Sequence, residues 1–232
     1  MTNVVPFPGV EICVGPAAGL EESDLQQVHD LFDRCYAQAN HAYLDRSMSR
    51  MWYIARAKRH GALLGFTLSD ARFEPLPRFD EPQLVLLAGI GCIVPERRRS
   101  RLFSHIAALA AGASGLLEKA TARFLVCGRM GHPAGFRSMK GFPSVVPREG
   151  KALSPWHLEI AARVAELYGS RLKEGSMVID GGGRPIGWPR IEIDVTDEEW
   201  SPFRDVDRDR GDSLLAIAWS PDAPPGWDEE EA

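Results

Sequence analysis

Residues 84–115 read LVLLAGIGCIVPERRRSRLFSHIAALAAGASG, and the fold turns on how that stretch is parsed. It opens as an apolar run over residues 84–94, with Gly89 and Gly91 inside it and Pro82 and Pro95 at its borders. A run of that length between prolines reads as a strand buried on both faces. Arg97, Arg98, Arg99 and Arg101 follow within one short turn. Leu102, Ile106, Leu109, Ala113 and Leu116 then recur at steps of four and three, which is one face of a helix. The start of that helix turns its free N–H groups and the positive end of its dipole toward the basic turn. Ringed by guanidinium groups, such a turn suits a phosphate-sized anion; read as ordinary surface, it is a solvated basic turn.

The whole chain has the opposite sign. Its 232 residues carry a formal charge of −5, with 44% hydrophobic and 25% charged positions. That composition is ordinary for a globular protein with a sizeable core, in one large domain or two small ones. It argues against a general nucleic-acid binder, whose footprint is a basic surface. The arginine cluster is therefore a local feature, matched to a small anion rather than a polyanion. Cys13, Cys35, Cys92 and Cys127 are scattered and show no metal-ligand spacing, so we expect reduced core thiols and no metal. Neither a leader pattern nor a run long enough to cross a membrane is present, and a cytoplasmic location is expected.

Outward from the central stretch, residues 10–14 read as a first strand. Ser23 with Gln26 reads as a capping box for a helix whose face carries Leu25, Val28, Phe32, Cys35 and Ala39. A shorter helix over residues 42–50 follows. Residues 52–57 and 62–73 flank Lys58-Arg59-His60-Gly61, a hairpin signal. After the central helix, residues 123–127 form another short strand, and a short helix runs from near His132 to Gly141-Phe142. Ser154-Pro155 starts a further helix, with Trp156, Ile160, Val164, Leu167 and Tyr168 on one face and Gly169 as its stop. Residues 177–179, 191–195 and 213–219 suggest further strands. The expected class is α/β, a mixed sheet flanked by helices.

This order, with three local patterns, resembles the GNAT superfamily of acyl-CoA-dependent N-acyltransferases. Val94-Pro95-Glu96 matches a frequent lead-in to that family's pyrophosphate loop, whose pattern is Q/R-x-x-G-x-G/A, and Arg98 takes its first position. Gly65-Phe66 resembles the family's third strand. His132-Pro133-Ala134 through Gly141-Phe142 resembles the helix after its fifth. The resemblance implies a GNAT-like core over residues 1–145 and a C-terminal extension over 146–232 packed on it, ending in an acidic tail at 221–232. It also implies that the strand at 84–94 splays from the strand at 123–127, leaving a slot for a pantetheine arm. The loop departs from the pattern at its two small positions, which are Arg101 and Phe103 here.

What the resemblance implies about function is acyl transfer: N-acylation of a small-molecule amine by direct attack on acetyl-CoA or another acyl-CoA. The donor would lie along Cys92, Ile93 and Val94 and on the turn and helix start at Arg98, Arg99, Ser100, Arg101, Leu102 and Phe103. His132, at the end of a strand, is the candidate for proton transfer, and capping of the next helix is its alternative reading. Ser138 stands near the family's usual general acid, and Cys127 is a candidate nucleophile whose alternative is packing inside a strand. His41 and Tyr43 fall where the family shapes its acceptor pocket. A catalytically silent or repurposed fold, a carrier-protein-bound acyl group and a different reaction such as decarboxylation are the alternatives. An acyl carrier protein and a second copy of the chain are the macromolecular partners the resemblance allows. Trp156, Trp188, Trp200, Trp219 and Trp227 concentrate in the extension, as its core or as a wall for a bulky substrate.

Overall fold

The structure, a computed structural model, describes residues 7–98, 100–119 and 123–228. In chain order its elements are β1 (Glu11–Pro16), α1 (Glu22–Cys35), β2 (Tyr36–Ala37), α2 (His41–Arg50), β3 (Tyr53–Arg59), β4 (Ala62–Glu74), β5 (Gln83–Ile93), α3 (Leu102–Gly112), β6 (Phe124–Met130), α4 (Pro133–Phe136), α5 (Pro155–Leu167), β7 (Val178–Ile179), β8 (Trp188–Pro189), α6 (Asp197–Trp200) and β9 (Ser213–Ser220). Seven strands form one sheet of order β1-β3-β4-β5-β6-β9-β7. The class is α/β with a mixed sheet flanked by helices, the GNAT-like arrangement expected above.

The central run is strand β5, antiparallel to β4 and parallel to β6. Leu84 and Leu86 pack on the α3 side with Leu116 and Leu117, while Val85 and Leu87 pack on the opposite side with α1 and α5. Thr67 pairs with Gly91 but Ser69 with Ala88, so Leu68 faces the two residues Gly89 and Ile90. This is a β-bulge, and it inverts the alternation. Beyond it Cys92 turns to the α1 side and Ile93 joins Leu102 and Ile106 on the α3 side. Glycine is required at the bulge because a Cβ on Gly89 would stand 2.7 Å from that of Leu68.

Pairing between β5 and β6 runs from Leu84–Phe124 to Ala88–Gly128 and stops there, although β5 continues to Ile93 and β6 to Met130. The two strands thus part in a fork, and the edge of β5 past Ala88 has no strand beside it. The hairpin β3–β4 closes through His60 and Gly61, both at positive φ (51° and 79°), the backbone a tight two-residue turn needs.

Several local expectations are corrected. Helix α1 starts at Glu22 with Glu21 as its N-cap and no side-chain cap, so Ser23 opens no capping box. It ends at Cys35, short of Ala39. The first turn is pinned instead by Asp24, which is ion-paired with Arg56 and Lys58 of β3. The buried face of α3 is Leu102, Ile106 and Ala110; Leu109 is exposed. The helix expected from His132 to Phe142 is one turn of α-helix followed by turns. Residues 191–195 form no strand. The extension adds β9 to the sheet beside β6, and Trp156, Trp219 and Trp227 belong to the same buried cluster as Phe32, Phe66 and Leu125.

Candidate functional site

A cleft of about 1090 Å³ opens at the fork. Its lining comes from the β5 bulge, the arginine turn, the first turn of α3, the end of β6, the α1–α2 connection and the loops of the extension. Among the described residues that line it are ten arginines against two aspartates, on a chain of net charge −5. The field inside is therefore opposite in sign to the molecule as a whole.

The arginine end is built on a strained backbone. Arg101 is the N-cap of α3 at φ 63° and ψ 0°, the left-handed conformation natural to glycine; its own side chain caps nothing, and the Leu102 N–H donates to Ser100 Oγ at 3.4 Å. The turn thus has a glycine-type backbone while carrying a cationic side chain. The N–H groups of Phe103 and Ser104, in the first turn of the helix, have no partner within it. Phe103 is 39% exposed and lays its ring on Gly91, where a Cβ would stand 2.5 Å from the ring. Arg97, Arg98 and Arg101 line the cleft, and Arg98 Nη1 donates to the Arg190 carbonyl at 2.6 Å. Arg99 lies outside the described residues.

At the apex stands Tyr168, which directly follows α5. Its hydroxyl lies 2.9 Å from the Ala88 carbonyl of β5 and 3.1 Å from the Cys127 carbonyl of β6, within the last two pairs of the fork. Burial pushes its phenol well above the ordinary tyrosine range, so it keeps its proton and donates. On the α1 side, Cys35 reaches the Ile93 carbonyl at 3.5 Å. A hydrogen bond from the Cys92 thiol holds the Cys35 thiol below the ordinary range, helped by the Arg98 guanidinium, while burial pushes Cys92 up.

The cleft brings together Tyr43, Cys92, Ile93, Arg98, Arg101, Phe103, His132 and Ser138 from the residues singled out in the sequence. It does not include Val94, Ser100 or Leu102, of which Val94 and Leu102 are buried. Two further candidates lie apart from it. Cys127 is wholly buried outside the cleft, and burial raises its thiol far above the range of a nucleophile. His41 bonds to Asp33 at 2.7 Å with its ring 4.6 Å from that of His29, outside the cleft. His132 is the N-cap of α4: its Nδ1 accepts from the Ala134 N–H at 3.1 Å. Burial, then Arg208 and Arg137, hold its pKa below the ordinary value, so the ring is neutral with its proton on Nε2. Ser138 Oγ donates to the Gly135 carbonyl at 2.7 Å.

Sequence reasoning missed the far wall. Residues 185–190 run as a strap along the cleft. Asn40 N donates to the Ile186 carbonyl (3.0 Å), β2 pairs with β8, and Arg190 N donates to the Cys35 carbonyl (2.8 Å). The strap's base is rigid: Asp212 accepts from Gly181 N (2.9 Å) and Asp207 N (3.2 Å) and is ion-paired with Lys173. The triplet Gly181-Gly182-Gly183 was the available signal, since a Cβ on Gly181 would meet the Gly211 backbone at 2.1 Å. Among the described residues no cluster of His, Cys, Asp and Glu is disposed to hold a metal ion, and no helix is long and apolar enough to cross a membrane.

No family model and no curated protein matches this chain. Among solved structures it is similar to a GNAT-like decarboxylase in complex with isobutyryl-CoA, at 19% identity and a TM-score of 0.42, over 90% of this chain and 98% of that one. It is similar also to the ribosomal-protein-S18-alanine N-acetyltransferase from Escherichia coli, at 9% identity and a TM-score of 0.42, over 93% and 98%. A third is an aminoglycoside N-acetyltransferase in complex with CoA, at 15% identity and a TM-score of 0.39, over 58% and 87%.

Proposed function

We propose that this protein is an acyltransferase that moves an acyl group from acyl-CoA to a small-molecule amine. The observation that carries the reading is the fork: an unpaired edge of β5 leads from the apex at Ala88 straight to a helix start ringed by arginines, where the N–H groups of Phe103 and Ser104 have no partner within the helix. An extended arm carrying amide groups can hydrogen-bond along such an edge as an added strand would. The diphosphate at the arm's end is then received by the N–H groups of the first turn of α3 and by Arg97 and Arg101. The thioester comes to rest at the apex, where Tyr168 holds the strands apart.

The acceptor amine enters from the α1–α2 side, past Tyr43. Its nitrogen attacks the thioester carbonyl, the carbon–sulfur bond breaks, and the proton the nitrogen gives up offsets the one the leaving thiolate takes. Holding the two reactants in register supplies much of the rate. His132 presents Nε2–H while Nδ1 stays engaged at Ala134, so it serves as a hydrogen-bond donor that orients a reacting group; taking up a second proton would cost the cap on α4. Ser138, whose hydroxyl proton is committed to the Gly135 carbonyl, offers lone pairs to the acceptor.

Calorimetry with CoA tests the reading. Binding is expected, weakening as salt is raised because exposed arginine–phosphate attraction is screened. Absence of heat at protein concentrations near a millimolar dissociation constant, roughly −4 kcal/mol, would sink it.

A further inference from the structure

Past the apex, the cleft holds a second basic group that the donor arm does not use. Arg129 is the first residue of β6 beyond the last pair of the fork, Ala88–Gly128. Its side chain is half-buried; Nε donates to Ser213 Oγ at 3.1 Å, and the guanidinium carbon lies 5.8 Å from the centre of the Tyr168 ring. Arg208, also half-buried, lies between two indoles, 5.1 Å from Trp188 and 5.3 Å from Trp200. Trp200 in turn meets the His132 ring edge-on at 5.2 Å.

Several nearby cations are neutralised: Arg171, on the cleft wall, by Asp180, and Lys173 and Arg137, outside the lining, by Asp212 and Glu199. Among the described residues, no carboxylate stands within ion-pair distance of Arg129 or Arg208. Aromatic faces fix the direction of a guanidinium without cancelling its charge. Two oriented, partly desolvated and unneutralised forks in one cleft match the flat two-oxygen geometry of a carboxylate. His132, the titratable ring between Trp200 and the cleft, is held neutral there and does not compete for the anion.

We propose that Arg129 and Arg208 bind a carboxylate borne by one of the two reactants, so that the enzyme handles either a carboxyl-terminated acyl group or an amino-acid-like acceptor. This rests on the acyl-CoA reading for which end of the cleft receives the reacting groups.

The test compares succinyl-CoA with butyryl-CoA, which differ by a carboxylate in place of a methyl group. Calorimetry on the full chain is expected to show succinyl-CoA binding at least 10-fold tighter, about 1.4 kcal/mol. Arg129→Met and Arg208→Gln should each bring that ratio below about threefold, while Arg129→Lys, which keeps the charge, should retain part of it. If the two thioesters bind equally but L-glutamate binds to the CoA-loaded protein and loses that binding in Arg129→Met, the carboxylate belongs to the acceptor. Melting temperatures of all three variants report folding, and Arg208→Gln, at a side chain held only by ring faces, decides if Arg129→Met unfolds. CoA binding with no preference for either carboxylate overturns this inference and leaves the acyl-CoA reading standing. No binding of any CoA overturns both.

Discussion

The hydroxyl of Tyr168 stands between two carbonyls that belong to different strands, at the point where those strands part. Tyr168→Phe removes the donor and leaves both buried oxygens without it, at a cost of about 1–3 kcal/mol. Urea unfolding checks this; a variant as stable as the wild type would mean that packing alone holds the fork. Arg101 offers a second test at this scale. Its left-handed backbone costs roughly 1–2 kcal/mol, and glycine would relieve that while losing a comparable amount through chain entropy. Arg101→Gly is therefore expected to change stability by less than about 1 kcal/mol, and CoA affinity should fall only by what the guanidinium contributes. A large loss of stability would show that the side chain itself holds the turn. Of these two residues the sequence marked Arg101, because it sits beside a strand end and a helix start. Tyr168 read only as one more apolar position on a helix face. Its role comes from two carbonyls distant in sequence, and no local pattern carries that.

Helix α5 shows what local chemistry does fix. Ser154 accepts from the His157 N–H at 3.1 Å, His157 Nδ1 accepts from the Ser154 N–H at 3.1 Å, and Pro155 sits at the first helical position. His157 Nε2–H donates to the Trp227 carbonyl at 2.7 Å, so both ring nitrogens are committed to the neutral form. Burial holds the His157 pKa below its ordinary value of 6.5. The unfolded chain then binds the proton more readily, so stability is complete above about pH 6.5 and falls as the pH drops toward the folded-state pKa. His157→Gln retains a capping side chain without a titrating ring, and should flatten the acid limb of a plot of melting temperature against pH. An unchanged limb would assign it to other groups. Signals of this kind, a cap, a proline, a hairpin turn or an apolar run, placed α5, β3, β4 and β5 in advance. They failed at α1, where the ion pairs of Asp24 with Arg56 and Lys58 set the first turn, and at β2 and β8, two residues each, which exist only because the strap lies against the α1–α2 connection.

At the scale of the molecule, the boundary read near residue 145 meets one continuous sheet. Strand β9 pairs with β6 from Phe124–Ser220 to Met130–Leu214, and residues 213–219 are all buried. Trp219 and Trp227 meet edge-to-face at 5.9 Å, with Phe79, from the connection before β5, 5.2 Å from Trp219. The sequence showed where the resemblance thinned, but not that the later residues complete the sheet begun by the earlier ones, because strand pairing at that separation has no local signature. A chain ended at residue 145 would leave the edge of β6 open, strip α5 and the tryptophan cluster from Leu125 and Cys127, and remove the strap wall of the cleft. Each large apolar side chain so uncovered forfeits about 1.5–3 kcal/mol of burial, and a folded domain has only about 5–15 kcal/mol in hand. The truncated chain is therefore expected to aggregate or to bind a hydrophobic dye without a cooperative thermal transition. A sharp transition from residues 1–145 alone would instead make the extension a separable wall added to a self-sufficient core, and the proposed acyl-CoA site would then have to be sought in that core without Tyr168.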